Sequence, residues 1–300
     1  MTPLQHLSEV REVLQNTVHF IAQPDFRSDD VLHAMGDGFL EHITSFHAQG
    51  AHLVKLWAAP RARDMGRDVG AEDLMSLDGP HRRAQMTLAA ELGMGIMTHV
   101  GDPDTWFATR YADARLYGTK SSQYEAFESA MDTFDVPWLA AHFGGWPEDL
   151  AFLDGLLARH PNLHLDTSAT KWMVRELSRH SRCDLLQFLR RWPGRILFGS
   201  DIVVQDEHCE ADTEEEHARA EADAFDLYAS RYWALRTLFE TDYDGESPIA
   251  DPDLAMVDPA QFGPADAPQL CGKRLPGDVL CWLYRGAAES LTEKLMNRAP

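Results

Sequence analysis

Four apolar runs end in side chains that bind metals or move protons. His99 closes "GIMTH", His142 closes "WLAAH", Asp166 closes "LHLD" and Asp201 closes "RILFGSD". Imidazole and carboxylate together suit zinc, iron or manganese, and a site with open coordination positions can polarise a carbonyl or activate water. His99, His142 and Asp201 are therefore the expected metal ligands. No single residue decides this. A histidine after a strand is commonly structural, and Asp166 before "TSAT" suits a turn or a helix cap equally well. The weight lies in their convergence, because the C-terminal ends of parallel strands open on one face.

Other residues sit where a substrate would pass. Arg61 and Arg63, in "WAAPRARD" just past a strand end, are spaced to clamp a carboxylate, although loop arginines are as often simply solvated. Lys55, inside "HLVKLW", either pairs with a neighbouring carboxylate or, if half-buried, serves as a base. Trp106, Phe107 and Trp172 follow strands and suit a pocket wall as well as ordinary packing. The expected substrate-binding set is Lys55, Arg61, Arg63, Asp166 and Trp172.

The elements that must hold these residues alternate in one order. "TVHFIA", "HLVKLW", "GIMTHV", "PWLAAH", "NLHLD" and "RILFGSD" read as strands. Val31, Leu32, Met35, Phe39, Leu40, Ile43 and Phe46 recur at helical spacing before Gly50, and a second helix runs from Pro80 to Gly93. Ser122 with Glu125 predicts a capping box. A further helix from Pro147 carries Leu150, Leu153, Leu156 and Leu157 on one face, and one or two more carry Leu185, Leu186 and Leu189. Strands alternating with helices predict βα units and a parallel sheet.

Beyond Asp201 the rhythm breaks. An acidic-to-aromatic helix ends near Phe239, a Pro-, Asp- and Gly-rich stretch covers 241–276, and "GDVLCWLYRGAAESLTEKL" closes the chain. The expected organisation is a barrel domain over 1–240, an irregular insertion or lid over 241–276, and the closing helix of the same domain over 277–300.

The net charge of -21 in 300 residues leaves no positive footprint for nucleic acid or an anionic membrane. Cys183, Cys209, Cys271 and Cys281 show no metal-ligand spacing and are too sparse for a disulfide framework, which predicts a reducing cytoplasm. The N-terminus lacks the pattern of a signal peptide, and no apolar stretch approaches the ~20 residues of a membrane helix. The expected partner is a small-molecule substrate, and a homo-oligomer is compatible.

"GIMTHVGDP", "WLAAHFGGWPEDL", "LHLDTS" and "RILFGSD", in that order, resemble successive strand motifs of the amidohydrolase superfamily. They are most similar to its amidohydrolase-related group of metal-dependent hydrolases and decarboxylases, and "DVLCWLYRGAAESL" resembles that group's closing helix. The resemblance implies an α/β fold of the TIM-type (β/α) barrel with a divalent metal, zinc first and iron or manganese as alternatives, at its mouth. His99 and His142 match the histidines after the family's fifth and sixth strands, and Asp201 the aspartate after its eighth. Asp166 and Ser168 match the segment after the seventh. Lys55 falls on the fourth strand, where some relatives carry a metal-bridging carboxylated lysine; others use none, and Lys55 is not assigned as a ligand. The implied activity is metal-dependent hydrolysis of a C–N or lactone bond in a small carbonyl or carboxylate compound. Asp201 would be ligand or general base, and His142 would orient the substrate or the water. Non-oxidative decarboxylation is the alternative within the group.

One part of the family pattern is missing. Its first strand ends in a His-x-His pair, and none of the 14 histidines here belongs to one. "TVHFIA" resembles the family's third strand, so about six of eight strands are expected, without two βα units of roughly 30 residues each. Three expectations compete: a gene product whose true start lies upstream, an open barrel that is catalytically silent and serves as a binding or partner subunit, or a site restored by His19, His6 or a neighbouring subunit. In an open barrel the N-terminal helix, with Leu4, Leu7, Val10 and Leu14, is expected to cover part of an exposed sheet edge.

Overall fold

The computed structural model of the chain describes residues 3–14, 18–203, 208 and 211–298. They fall into two compact units: Met1–Trp146, Ala151–Leu165 and Ala288–Pro300 form the first, and Pro147–Leu150 and Asp166–Ala287 the second. Masses of buried apolar side chains centre each one. Phe39, Ile43, Leu56, Ile96, Phe127 and Trp138 fill the first, and Met173, Leu177, Leu185, Leu235, Leu238 and Leu270 the second.

The first unit follows the βα order. It runs α1 (Pro3–Leu14), β1 (Ile21–Ala22), α2 (Val31–Met35), α3 (Asp37–Ala48), β2 (Leu53–Trp57), α4 (Ala62–Asp68), α5 (Pro80–Glu91) and β3 (Gly95–His99). It continues through α6 (Asp104–Phe107), α7 (Ala114–Tyr117), α8 (Lys120–Thr133), β4 (Trp138–Ala140), α9 (Leu150–Arg159) and β5 (Leu163–Asp166). Neighbouring strands pair in parallel, Ile21 with Leu53, Leu53 with Gly95, Ile96 with Trp138 and Trp138 with Leu163. All residues of β4 and β5 are buried, which is why these strands read as continuous apolar runs and not as alternation.

Four local expectations change. The helix expected from Val31 to Phe46 is two helices, broken at Gly36, where a Cβ would lie 2.7 Å from the Leu32 carbonyl oxygen. The capping box of α8 sits three residues earlier than expected, with Thr119 accepting from the Ser122 amide and Ser122 from the Thr119 amide. In α1 Leu7 is buried while Val10 and Leu14 are exposed, so the apolar stripe is only partly covered; the Leu4 and His6 side chains lie outside the described set. The helix expected from Pro147 begins at Leu150.

A charge is enclosed in this unit without a countercharge among the described residues. Arg82, on α5, is fully buried; its Nη1 donates to Gln85 Oε1 at 2.7 Å, its Nη2 to Met75 Sδ at 3.1 Å, and its Nε has no partner. Burial lowers its pKa to about 10, so it remains a cation.

The second unit contains α10 (Thr170–Arg179), α11 (Arg182–Arg191), β6 (Ile196–Leu197), the long α12 (Glu214–Glu240), β7 (Asp244–Glu246), α13 (Asp253–Val257), β8 (Gln269–Cys271) and α14 (Gly277–Cys281). A π-helical turn, Trp282–Gly286, leads into α15 (Ala287–Met296), which returns to the first unit at residue 288. Thr213 caps α12 by accepting from the Glu216 amide, and Glu214, Glu215 and Glu216 lie in its first turn, where the helix dipole favours negative charge. The stretch 241–276 is less irregular than its composition suggests, because β7 and β8 form an antiparallel pair. Cys183, Cys271 and Cys281 are free thiols, and Cys209 lies outside the described residues.

In α10 one guanidinium faces three buried carboxylates. Arg175 Nε donates to Glu176 Oε1 at 2.5 Å, and its Nη1 bonds Asp251 and lies 3.5 Å from Asp253. Burial pulls the Arg175 pKa down, but Asp251, Glu176 and Asp253 outweigh it and hold it above the ordinary value. Arg179 adds a second cation, its Nη1 donating to Glu176 Oε2 at 3.1 Å, so two guanidiniums meet three acids. Asp251 is accordingly pushed up, by burial first and by the Asp253 charge.

Candidate active site

His99 ends β3, in register with Trp57 of β2, and His142 follows β4 two residues after Ala140. The Ala141 amide donates to the Thr98 carbonyl at 2.9 Å, which carries the β3–β4 pairing to the point where both histidines emerge. Their rings meet edge to face, with centroids 4.3 Å apart and planes at 83°. His142 is buried and His99 is half-buried.

Backbone strain accompanies this meeting. His142, Phe143, Gly144 and Gly145 all have positive φ, at 60°, 54°, 66° and 78°. Two of the four carry side chains, at about 1–2 kcal/mol each for the left-handed region. Gly145 is forced by contact as well, since a Cβ there would lie 2.5 Å from the Gly101 carbonyl oxygen. The "FGG" and "VGD" loops therefore touch backbone to backbone. Gly145→Ala is expected to lower the melting temperature by several degrees and to part the two loops; calorimetry checks this, and an unchanged melting point would contradict the close approach.

Asp102, three residues past His99, completes the arrangement. His99 Nε2 lies 2.8 Å from Asp102 Oδ1, and the Tyr111 hydroxyl donates to Asp102 Oδ2 at 2.7 Å. Lys120 Nζ donates to the Asp102 carbonyl oxygen at 2.6 Å and pairs with Asp104 at 3.1 Å. Burial alone would push the Asp102 carboxyl up, but the His99 charge, the hydrogen bonds from His99 and Tyr111, and the Lys120 charge together hold it below the ordinary range. The Tyr111 hydroxyl is pushed far up by burial and by the Asp102 charge, so it stays a donor. Aromatic rings wall the site: Lys120 Nζ lies 5.4 Å from the Phe107 ring centre and 5.0 Å from that of Trp146, and Arg110 lies over Trp106.

An ionised carboxylate only accepts, so His99 donates through Nε2, and in the neutral imidazole the lone pair is then on Nδ1. The group can hold an imidazole in one tautomer and take a proton from water. Asp102, Tyr111 and Lys120 escaped sequence reading. Asp102 stands inside "GIMTHVGDP", three residues from a histidine, but nothing in that spacing separates it from a turn residue.

A profile of the amidohydrolase family matches residues 51–229. The chain belongs to the amidohydrolase family. None of the curated proteins matches the sequence. Among solved structures, an uncharacterised TIM-barrel protein from Bordetella bronchiseptica is similar at TM-score 0.50 and 13% identity, over 98% of this chain and 73% of that one. A probable 2-pyrone-4,6-dicarboxylic acid hydrolase from Acinetobacter baumannii, with citric acid bound, is similar at TM-score 0.34 and 13% identity, over 75% of this chain and 81% of that one. The fold is thus the TIM-type α/β class, and β1 to β6 are its parallel strand series among the described residues.

The remaining expected residues of this amidohydrolase divide between the two units. Arg61 is exposed, yet its backbone hydrogen bond and its charge both act on Tyr111, which places it beside the Asp102 network. Arg63 Nη2 donates to Gln123 Oε1 at 3.2 Å, and burial together with the Arg67 charge lowers its pKa. Lys55 is half-buried on β2. Asp166 is buried and accepts from the Ser168 amide at 2.9 Å and from the Ser168 hydroxyl, a turn geometry. Trp172 is buried, and its Nε1 donates to Asp253 Oδ2 at 2.8 Å. His19 is exposed.

Asp201 belongs to the second unit. The Thr167 hydroxyl bonds the Gly199 carbonyl at 3.2 Å and the Thr170 hydroxyl the Ser200 carbonyl at 2.9 Å, which fixes the loop after β6. Asp201 itself has φ 54°, is exposed, and lines a cavity of about 520 Å³ with Lys171, Trp172 and Arg231.

Amidohydrolases usually carry divalent metals. Among the described residues no group of three or more His, Cys, Asp or Glu side chains is placed to hold a metal ion. His99 and His142 are two imidazoles, short of the three protein ligands of a catalytic zinc, and His99 Nε2 is taken by Asp102. The described residues do not fit a metal centre. No described helix is long and apolar enough to cross a membrane.

Proposed function

We propose that this amidohydrolase hydrolyses a small carbonyl or carboxylate compound at a C–N or lactone bond. The carrying observation is the Asp102–His99 pair beside His142 at the ends of adjacent strands. His99 Nδ1 takes a proton from water as the water oxygen bonds the carbonyl carbon; the adduct then loses the amine or alkoxide, which receives that proton from the imidazolium. Asp102 holds the imidazole orientation and stabilises its charged form. His142 orients the substrate, and Arg61 is the carboxylate-binding candidate nearest this network. No step runs through a metal, since the described donors do not assemble one.

The test is turnover of a panel of small cyclic amides and lactones by wild type and His99→Gln, with the metal content of each preparation measured. The reading expects hydrolysis by wild type and a loss of about 10²–10⁴-fold in the variant. Equal turnover by both would overturn it. Release of carbon dioxide from a carboxylated substrate, with no hydrolysis of any panel member, would replace it by the decarboxylase alternative.

A further inference from the structure

The long helix α12 has two apolar sides, and the second unit covers one of them. Ala224, Ala234, Leu235, Leu238 and Phe239 are buried. Ala218, Ala222, Phe225, Ala229, Tyr232 and Arg236 follow one another at alternating steps of four and three, which lines them up along a different side. Ala229 is half-buried and the others are exposed. Phe225 is 70% exposed, and Trp233, one turn beyond Ala229 at the border of the stripe, is 62% exposed. Tyr232 stacks on Phe198 with ring centres 6.1 Å apart, so its ring is held in place while still exposed. A lone exposed ring needs no explanation, but three on one stretch of helix mark an interaction surface.

The charges of the helix specify what covers it. Its first half, 214–226, holds Glu214, Glu215, Glu216, Glu221, Asp223 and Asp226 against one arginine, Arg219; its second half, 227–240, holds Arg231 and Arg236 against Glu240. A parallel second copy would set acid on acid and Phe225 on Phe225. An antiparallel copy, related by a two-fold axis, sets the acidic half of each helix on the basic half of the other. In the register centred on position 227, Phe225 faces Ala229 of the other copy and Tyr232 faces Ala222. Arg236 faces Ala218, which Glu214, Glu215 and Glu221 flank. Each large ring then meets a methyl group, the alternation that lets two helices interdigitate. Covering the three rings on both copies hides roughly 700 Å², close to half of a standard interface of about 1,600 Å² before any flanking side chain is added.

We propose that the exposed side of α12 is a homodimer interface, in which two copies of this chain pair their α12 helices antiparallel. Phe225, Tyr232 and Trp233 form its apolar centre, and Arg236 meets Glu215 and Glu221 of the other copy at each end. The inference stands on α12 alone and does not rest on the hydrolase reading.

Sedimentation velocity and light scattering of the full chain, from low to high micromolar concentration, test this. Wild type is expected to dimerise and Phe225→Asp to remain monomeric over the same range. Arg236→Glu is expected to weaken the dimer by roughly tenfold or more, and its combination with Glu215→Arg and Glu221→Arg to restore it. The rescue reads orientation, because these positions lie too far apart on one helix to touch and meet only between antiparallel copies. The proposal is overturned if wild type is monomeric throughout, if Phe225→Asp dimerises as wild type does, or if the charge swap restores nothing. A monomer that cosediments with phosphatidylcholine vesicles would overturn it in favour of a lipid surface. Should circular dichroism show Phe225→Asp unfolded, the wild-type mass and the charge swap decide between the same outcomes.

Discussion

Asp102→Asn is expected to lower kcat/KM by about 10²–10⁴-fold while the chain stays folded. The size follows from the hydrogen-bond directions. The Tyr111 hydroxyl donates to Oδ2 of Asp102, and in the variant it continues to demand an acceptor there. The asparagine carbonyl takes that position and turns its NH₂ toward His99 Nε2. An NH₂ facing Nε2 forces the proton onto Nδ1, so the imidazole loses the lone pair that would accept a proton from water. Turnover rates, with nitrogen NMR of the imidazole to read the tautomer, check both halves. A loss below threefold, or an unchanged tautomer, would exclude His99 as the base.

The same substitution has a pH signature. The Asp102 carboxyl is held below its ordinary value in the folded chain, so its contribution is present above the unfolded value of about 3.9 and lost as pH falls through the lower folded value. Asp102→Asn removes that dependence, and melting curves of the variant are expected to flatten on the acid side. Parallel curves for wild type and variant below pH 5 would contradict it.

Arg175→Met is expected to cost about 3–5 kcal/mol, because it removes the guanidinium that Asp251 and Asp253 face and leaves Glu176 with Arg179 alone. The deficit should shrink as pH is lowered. Asp251 is already held above its ordinary value, and a carboxyl raised in this way favours the folded state below its unfolded pKa and opposes it as pH rises. Arg82→Met is the internal comparison. It makes the same chemical change at a fully buried arginine that faces no acid among the described residues, and it is expected to be neutral or stabilising by about 1–4 kcal/mol. Chemical denaturation of the two variants decides the matter: losses of equal size would mean that packing of the long side chain, and not charge, governs both sites.

The chain's βα rhythm was legible because buried parallel strands write continuous apolar runs and their helices write a 3.6-residue period. "GIMTH", "WLAAH" and "LHLD" locate β3, β4 and β5, and the sites of His99, His142 and Asp166 follow from strand ends alone. The break at Gly36 and the cap at Thr119 were not legible, since each depends on a neighbour's backbone and not on residue type. Asp166 reads identically as ligand and as turn former until its hydrogen bonds to Ser168 are seen.

Sequence by itself determined the strand and helix order, the family resemblance, and the meeting of two histidines at adjacent strand ends, because those depend on short-range periodicity. Tertiary structure alone decided which carboxylate answers His99. Asp102 does so through Tyr111 and Lys120, nine and eighteen residues away, at distances no spacing encodes. It also decided that Arg82 meets no acid among the described residues while Arg175 meets three, since charge balance inside a fold is a property of neighbours in space and not along the chain.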